Sequence, residues 1–539
     1  MAREIVEQLV IQGVIEAETP LHVGGAFSSS ESDLPLARNG KGIWYIPGTS
    51  LSGVFRAWCE RHFGKIITDQ MWGDHSKKGE ETKGRASLVT VADAVVCLPK
   101  NSHIEIRDGV GIDRVTGTAA DRFKFDRAVL PRGSHFGLNL RFDLPSEKGL
   151  PLCNPIHRPL CSAVFGHLAQ SLQKGEFCLG AAKTRGLGQV RLVSVCIRRF
   201  TEINRRQGML ALLRNNAESL SIKDLLSEGQ LHQPQPGKRF EFQLFWQPRG
   251  PVMVKAGYDG IAVDSLPLVS AYGAGQVAFV LPGSSIKGTL RSHAERIMRT
   301  VFISSEDELN EPHPFPKQLE VLLAQEVFGM AAKSENTQGQ EKTPKPGLGA
   351  LSVADCFAEE KFTRAKWDAI ETVAKGKETD EPLMTAIGET GAKHLTPAYH
   401  VSIDRWTGGA SDSALFSVLE PHGISWEPIK LRLNLERIEE NKRLPALGLV
   451  LLVLNDVLQG RIPFGFAVNR GMGEIEVERI ELSGTGLDRN LASFTNFSWS
   501  KTCPLPADVC EHINLGWRQW IADEKERTRA QQPQKAGAQ

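Results

Sequence analysis

Two matching segments of the sequence carry residues that suit the binding of an anion. In each, a strand-like stretch ends in a Pro-Gly-Thr/Ser-Ser turn that opens a predicted helix, after Pro47 and after Pro282. Free backbone N–H groups and hydroxyls at the start of a helix favour anions, and phosphate is the usual one. The candidate phosphate-binding residues are Gly48, Thr49, Ser50, Ser52 and Arg56 in the first segment and Gly283, Ser284, Ser285, Lys287 and Arg291 in the second.

A well-capped helix after a tight turn is the alternative reading of either segment alone. The recurrence of the same chemistry favours phosphate contact. Lys287 and Arg291 lie one helical turn apart, so we expect both to face the same ligand.

These segments belong to a set of three motifs that occur twice in the same order. The spacing from proline to arginine is nine positions in both copies of the first motif (56 − 47 and 291 − 282). Three motifs repeated in order indicate a tandem duplication. The paired motifs are Ile46–Gly53 and Leu281–Gly288, Ile112–Gly117 and Ile403–Gly408, and Gly180–Gly188 and Gly465–Gly473.

The second and third motifs predict an arm and a close backbone contact. The Ile-Asp-Arg-x-Thr-Gly segments stand in turn-rich surroundings, which favour an extended hairpin carrying Arg114 or Arg405; the alternative is a solvated hairpin whose Asp–Arg pair matters little. The glycine-rich motif, with Lys183, Arg185 and Arg470, does not have the spacing of a nucleotide-binding P-loop and precedes a strand. Its glycines let one backbone approach another, although a plain turn is the alternative.

The elements that position these motifs are of both kinds, so we predict an α+β fold of antiparallel strands with helices on one face. Helices are predicted over Ser50–Phe63, with Thr49 or Ser50 as N-cap, and over Ser285–Val301. The apolar run Ala446–Leu454 predicts a buried helix. Alternating residues predict strands over Ile11–Ala17, Gly42–Ile46, Phe136–Phe142, Gln189–Cys196 and Phe240–Trp246.

The repeats divide the chain into a first module (1–200), a connector (201–237), a second module with insertions (238–490) and a C-terminal extension (491–539). The longer second module places insertions at 304–346 and 359–393. From Asp523 onward the charged and then Gln/Ala-rich end is expected to be frayed or disordered.

Composition limits the function classes. The 539 residues carry 64 basic and 63 acidic side chains, a formal net charge of +1, so nucleic-acid contact would depend on local patches or backbone amides. Nine cysteines without dense spacing indicate a reducing cytoplasm, and no apolar run is long enough to span a membrane. A metal-binding cysteine cluster is not predicted, because no CxxC pair occurs; the residues weighed were Cys153, His157, Cys161, Cys178, Cys503, Cys510 and His512.

Taken together, these motifs resemble the RAMP-superfamily backbone subunits of type III CRISPR effector complexes, in a fused two-module form. The resemblance covers residues 8–200 and 238–482, and it includes a His-x-Gly-like start at His22. It implies two modified ferredoxin-like (RRM-like) modules, a palm that holds guide RNA by its phosphates, and a thumb-like hairpin. Target RNA and other effector subunits are the further implied partners. RNA-binding roles then extend to His22, Arg114, Lys183, Arg185, Arg405 and Arg470.

In this family a loop aspartate is needed for cutting target RNA with a divalent metal, and the neighbouring 2′-hydroxyl is the nucleophile. By position Asp33 is the match in the first module and Asp264 in the second, with Asp259 as a competing choice. Both matches would be catalytic and would hold Mg²⁺ or another divalent cation. The copies differ, because Met253 stands where the second module would carry the counterpart of His22.

Three functions are compatible with the resemblance. The first is a guide-dependent endoribonuclease subunit, and the second is a scaffold that grips guide RNA without cutting. The third is a guide-processing endoribonuclease, which would act alone and rely on a histidine or another general base.

Overall fold

The computed structural model describes residues 4–25, 32–74, 84–146, 158–256, 263–302, 314–330, 347–376, 380–390 and 394–531. Mixed helices and strands form two modules of the same topology, which confirms the predicted α+β tandem fold. No helix in these ranges is both long and apolar enough to cross a bilayer.

The first module is a ferredoxin-like sheet with two helices. The strand order β9-β1-β7, with β3 next to β7, is antiparallel throughout, and it follows from a βαββαβ path in which α1 and α2 are the crossovers. Its elements are β1 Ile5–Ala17, β2 Tyr45–Ile46, α1 Gly48–Trp72, β3 Val89–Val91, β4 Ala94–Cys97, β5 Glu105–Ile112, β6 Ala119–Val129, β7 His135–Pro145, α2 Arg158–Gln173, β8 Phe177–Cys178 and β9 Gln189–Phe200.

Two sequence predictions in this module need correction. Helix α1 begins at Gly48, so Thr49 and Ser50 lie inside it; its N-cap is Pro47, which makes no side-chain cap hydrogen bond. The predicted strand over residues 42–46 shrinks to β2, because a tight turn at Asn39, whose side chain accepts from two backbone N–H groups, occupies the chain just before it.

A short connector packs on the first module. Its strand continues the first sheet by pairing with β9, and its last helix lies against α2, where Gly166 contacts Leu225 and Leu226. The elements of the connector are α3 Arg206–Leu213, β10 Glu218–Leu220 and α4 Ile222–Glu228.

The second module repeats the topology with the order β14-β19-β11-β20. In the described parts of its insertions there are additional short strands and four α-helices. Its elements are β11 Arg239–Pro248, β12 Val269–Gly273, β13 Gln276–Leu281, α5 Gly283–Phe302, α6 Phe315–Gln318, α7 Ala324–Phe328, β14 Leu351–Val353, β15 Cys356–Phe357, β16 Phe362–Thr363, α8 Arg364–Lys375, α9 Asp380–Thr390, β17 Leu395–Ile403, β18 Ala410–Pro421, β19 Ile429–Asn434, α10 Arg443–Leu458 and β20 Ile475–Thr485.

Helix α10 is the predicted buried apolar helix, and the C-terminal extension covers part of it. The extension contains α11 Arg489–Ala492, β21 Phe497–Trp499, which pairs with β20, and α12 Ala507–Gln531. The expectation of a disordered end from Asp523 is wrong as far as Gln531, because α12 continues to that residue and buries Trp517 and Trp520 in the core of the second module.

Two β-hairpins extend from the modules, as the Ile-Asp-Arg-x-Thr-Gly motifs predicted. We call β5–β6 the first arm and β17–β18 the second arm. Their tips fold alike: the carboxylates of Asp113 and Asp404 each accept from the backbone N–H groups two and three residues later.

The first arm lies on the second module. Arg107 of β5 bonds Asp355 through Nη1 at 2.6 Å, and Glu105 accepts from the Ser270 hydroxyl at 2.8 Å. At the tip Nε of Arg114 donates to Glu295 of α5 at 2.7 Å. This polar contact is accompanied by a second one, in which the glycine-rich loop of the first module pairs with β14 through Arg185 and Val353.

Candidate nucleic-acid interface

The two aspartates predicted from the loops occupy equivalent positions beside the arms. Asp33 accepts from the backbone N–H of Asp126 on β6 at 2.9 Å, and Asp264 accepts from the backbone N–H of Ser417 on β18 at 2.7 Å. In both modules the next residue pairs in parallel with the same strand, Leu34 with Arg127 and Ser265 with Val418.

This correspondence aligns the loops of the two modules. The segment from Asp264 to Pro282 is four residues longer than that from Asp33 to Pro47 (18 against 14), and the extra length lies in the β12–β13 hairpin. Asp259, the competing choice, lies outside the described residues.

The helix starts do not offer the row of free N–H groups that the Pro-Gly turns predicted. The N–H of Gly48 donates to Asp93 at 2.7 Å, and that of Gly283 donates to Asp355 at 2.8 Å. A carboxylate at the N-terminus of a helix is favoured by the helix dipole, so each acid takes the place expected for a phosphate oxygen. Thr49 and Ser284 remain exposed on the first turn, while Ser50, Ser52 and Ser285 are half-buried.

Two arginines of these helices are occupied by the protein itself. Arg56 donates to Asp69 at 2.9 Å and to the carbonyl oxygen of Trp72. All three side-chain nitrogens of Arg291 donate hydrogen bonds, to Glu295 at 2.6 Å and to the carbonyl oxygens of Gly329 and Leu319. The prediction that Arg291 and Lys287 face one ligand is therefore wrong; Arg291 anchors α5 to the loops beside it.

Basic side chains from both modules meet where the glycine-rich loop of the first module contacts α5. We call this group the inter-module basic cluster: Arg61, Lys183, Arg185, Lys287 and Arg437. Among the described residues none of the five forms an ion pair with an acid. Glu436 offsets part of this charge at Arg437, but the basic groups outnumber it. A local excess of positive charge is the electrostatic signature of a polyanion site.

Lys287 is the most perturbed member of the cluster. Its side chain is 5% exposed, and its Nζ donates to the hydroxyl of Thr184 at 3.0 Å. Burial, with the positive charges of Arg185, Arg291 and Arg437, lowers the pKa of Lys287 to about 7. An arriving phosphate would stabilise the charged ammonium and raise this pKa again.

Other members are affected in the same direction. Burial, followed by the charges of Arg437 and Arg61, lowers the pKa of Lys183, and burial lowers that of Arg185. Since burial disfavours the charged forms of Lys183, Arg185 and Lys287 in the free protein, binding of negative charge here would be favourable.

His22 lies against the first arm instead of facing solvent. Its side chain is buried, and Nδ1 is 2.7 Å from the carbonyl oxygen of Ala128, which can only accept, so Nδ1 carries the proton. Burial lowers the pKa of His22 and keeps the ring neutral. The corresponding backbone position in the second module belongs to Met253, whose carbonyl accepts from Phe466 as that of His22 accepts from Ala181. The structure thus favours a packing role for His22 over direct RNA contact.

The arm arginines differ between modules. Arg114 was predicted on a solvated or RNA-facing tip, but its side chain is only 12% exposed and pairs with the fully buried Glu295. Arg405 at the second tip is exposed, and its neighbour Trp406 is 96% exposed. Arg470 lies 5.0 Å from the ring centroid of Phe416. Arg405 and Arg470 therefore remain accessible to RNA.

The donor set at each aspartate fits a cation that is shared with RNA. Oδ2 of Asp33 and of Asp264 accepts from the arm, which leaves Oδ1 of each without a hydrogen bond from the described residues. In the described ranges no group of three or more His, Cys, Asp or Glu side chains is arranged to hold a metal. Mg²⁺ is usually bound through one or two carboxylates together with phosphate oxygens and water, so one free oxygen per site suits it.

The cysteines weighed as metal ligands are separated. Cys161 is buried in α2, where burial raises the pKa of its thiol to about 12. Cys503 and Cys510 lie near the start of α12 and are free thiols. Cys153 and His157 lie outside the described residues.

Sequence reasoning missed the residues whose role depends on distant partners. Asp126 and Ser417 bind the loop aspartates, and Asp93 and Asp355 bind the helix starts. A signal for the first pair existed: both residues stand 13 positions after the aspartate of the arm motif (126 − 113 and 417 − 404).

Two ferredoxin-like modules, each with an arm, a loop aspartate and a late glycine-rich loop, define the class of the protein. The family model of the RAMP superfamily matches residues 14–191 and 250–476, so the chain belongs to that superfamily and contains two copies of its fold. The chain is also similar to the CRISPR system Cms endoribonuclease Csm3 of Methanocaldococcus jannaschii. The two are 26% identical over 207 residues, which cover 34% of this chain and 78% of that protein.

Proposed function

We propose that this chain is a subunit of a type III CRISPR effector complex that binds guide RNA by its phosphates and cleaves complementary target RNA. The observation that carries the RNA-binding part is the inter-module basic cluster, none of whose five members forms an ion pair with an acid among the described residues, although Glu436 offsets part of the charge of Arg437. The cleavage part is supported by the equivalent loop aspartates and by the endoribonuclease name of the similar protein. Its expected partners are guide RNA, target RNA and other effector subunits in the cytoplasm.

In the proposed reaction the 2′-hydroxyl of a target nucleotide attacks the adjacent phosphorus. A bond forms between O2′ and phosphorus, and the bond to O5′ breaks. The proton of the 2′-hydroxyl leaves to solvent and O5′ gains one, so the products end in a 2′,3′-cyclic phosphate and a 5′-hydroxyl. A bound Mg²⁺ would stabilise the negative charge that builds up on the phosphate oxygens.

Asp33 and Asp264 would hold that cation through Oδ1, because Oδ2 is committed to the arm in both modules. The arm thus fixes the direction in which the free oxygen points, and orientation of this kind lowers the barrier by limiting motions that do not lead to reaction. Lys183, Arg185 and Lys287 would hold the guide, and the exposed Arg405 and Arg470 would contact RNA near the second arm.

The test uses the assembled, guide-loaded complex, Mg²⁺ and an end-labelled RNA complementary to the guide. Wild type is compared with Asp33→Ala, Asp264→Ala and the double variant. We expect each single variant to erase one specific band, while target binding persists and the remaining products carry cyclic phosphate ends.

Two results would contradict the proposal. Survival of every band in the double variant would make this chain a scaffold whose complex cuts with another subunit. Cleavage of repeat RNA by the isolated chain, independent of both aspartates, would indicate guide processing.

A further inference from the structure

The loop aspartates are held by reciprocal hydrogen bonds. The backbone N–H of Asp33 donates to Oδ1 of Asp126 at 2.6 Å, while the N–H of Asp126 donates to Oδ2 of Asp33 at 2.9 Å. Each residue therefore supplies one backbone donor and one carboxylate acceptor to the other. Such a closed pair restricts the side-chain torsions of an exposed aspartate, which would otherwise populate several rotamers.

The second module builds the same contact from different residues. The N–H of Asp264 donates to the hydroxyl oxygen of Ser417 at 3.2 Å, and the N–H of Ser417 donates to Oδ2 of Asp264 at 2.7 Å. The Ser417 hydroxyl is also 3.1 Å from Oδ2 of Asp264. The geometry is the same although serine stands where the first module has aspartate, and both side chains present an oxygen that accepts from the loop backbone.

The strand behind this contact belongs to the arm. The carbonyl of Asp126 accepts from the N–H of Leu34 at 3.2 Å, and the carbonyl of Leu34 accepts from the N–H of Ala128 at 3.1 Å. Ser265 makes the corresponding bonds to Ser417 and Leu419 at 3.1 and 3.0 Å. The loop that carries each aspartate is therefore joined to the edge of the arm by a single parallel β-bridge.

We propose that Asp126 and Ser417 are positioning residues, each of which ties the cleaving aspartate of its module to the arm. This inference rests on the proposed function. Neither residue is assigned a bond to RNA or metal; each acts through the aspartate that it holds, and the side chain must accept a hydrogen bond but need not be charged.

The experiment compares single-turnover cleavage and target affinity in the guide-loaded complex. Asp126→Ala should slow the cut that Asp33→Ala erases by about tenfold or more, the effect of one hydrogen bond to an ionised group, with target affinity unchanged. Asp126→Ser should keep most of the rate, because in the second module the hydroxyl of Ser417 accepts the equivalent hydrogen bond from the loop backbone. Ser417→Ala should slow only the cut that Asp264→Ala erases.

Hydrogen–deuterium exchange of the same complex gives a readout besides activity. In Asp126→Ala the amide of Asp33 should lose protection, while the amide of Leu21, which donates to the carbonyl of Leu130 at 2.9 Å, keeps it. Asp121→Ala, the loss of an exposed acid on the same strand, is the matched control and should change neither cut nor exchange.

The outcomes distinguish failure of the proposed function from failure of the positioning role. If Asp33→Ala and Asp264→Ala erase no band, the proposed function fails, whatever Asp126 does. If they erase their bands but Asp126→Ala and Ser417→Ala leave rates and exchange at wild-type values, the positioning inference alone is overturned. It is also overturned if Asp126→Ser is as slow as Asp126→Ala, since the charge of Asp126, and not its position as an acceptor, would then be required.

Discussion

Replacement of Arg107 by alanine should separate the first arm from the second module. The side chain of Arg107 is 8% exposed and that of its partner Asp355 is 1% exposed, at an Nη1–Oδ2 distance of 2.6 Å. Nη2 also donates to the Ser270 hydroxyl at 2.8 Å and lies 3.4 Å from Glu105. Burial opposes the charge of Arg107, but the two carboxylates outweigh it and raise its pKa above the ordinary value.

The magnitude follows from what the substitution would leave behind. Removing one partner of a buried ion pair costs about 3–5 kcal/mol, because the other charge stays buried without compensation. Among the described residues Asp355 would keep the N–H of Gly283, and Glu105 would keep the Ser270 hydroxyl and the N–H of Ala271. These remaining bonds place the expected loss of unfolding free energy near the lower end, at about 3 kcal/mol.

Urea denaturation of the full chain, followed by tryptophan fluorescence, measures this loss. Arg141→Ala is the control, because Arg141 pairs with Asp143 on an exposed strand face and should change the free energy of unfolding by no more than about 1 kcal/mol. Adding Asp355→Asn to Arg107→Ala should recover part of the loss by removing the buried charge. If Arg107→Ala costs no more than the control, or if the double variant shows no recovery, the buried ion pair does not stabilise the contact between the first arm and the second module.

Three further outcomes are expected. Arg114→Ala should lower the free energy of unfolding by about 1–3 kcal/mol, because a charged hydrogen bond is lost. Arg405→Ala, at the exposed tip of the second arm, should change that free energy by no more than about 0.5 kcal/mol. Equal effects of the two substitutions in urea denaturation would contradict the docking of the first arm. Gly186→Ala and Gly471→Ala impose similar backbone strain, because the two φ angles are +87° and +86°. Only Gly186→Ala adds a methyl group against the carboxylate of Asp355 in the other module, so it should be the less stable variant by about 1 kcal/mol or more. Equal urea midpoints of the two variants would exclude this contact. Burial lowers the pKa of Lys287 from 10.5 to about 7 in the folded chain, so its contribution to stability should rise with pH from about 7 to 10.5. Guide RNA binding at pH 8 should then be accompanied by uptake of a proton, which calorimetry in two buffers measures. The uptake should vanish in Lys287→Met, and uptake that persists in this variant would belong to another group.

The parts of the fold that depend on local pattern could be predicted from the sequence. Alternation of apolar residues located β7, and the uniform apolarity of residues 446–454 located α10, because burial on one face or on all faces is written in the residues themselves. Repetition of three motifs predicted two modules with the same topology. The glycines at 180 and 465 were rightly expected to permit close backbone approach, since a Cβ there would overlap the carbonyl of residue 22 or 253.

Contacts between residues far apart in the sequence could not be predicted from it. Asp93 binds the helix start at Gly48 from 45 positions away, and nothing in the Pro-Gly turn indicates that its N–H group is already taken. Arg291 carries the positive charge expected of a phosphate-binding residue. In the folded chain, however, the packing of α5 brings it against Glu295, to which it donates a hydrogen bond. Asp126 lies 93 positions from Asp33, so the common spacing from the arm motif could mark Asp126 and Ser417 as equivalent positions but could not show which residues they contact.

The contact between the two modules occurs once in this polypeptide, and this alters how it can change in evolution. In a filament of identical subunits a substitution at such a contact appears at every interface. Here the position of Arg107 in the first arm corresponds to Ala398 in the second (both six residues before the aspartate of the arm motif), so the second arm cannot form the same ion pair. Covalent linkage also keeps the partners at a high effective concentration. Each surface of the duplicated protein has therefore been free to specialise for one neighbour, without the compromise that strict symmetry imposes.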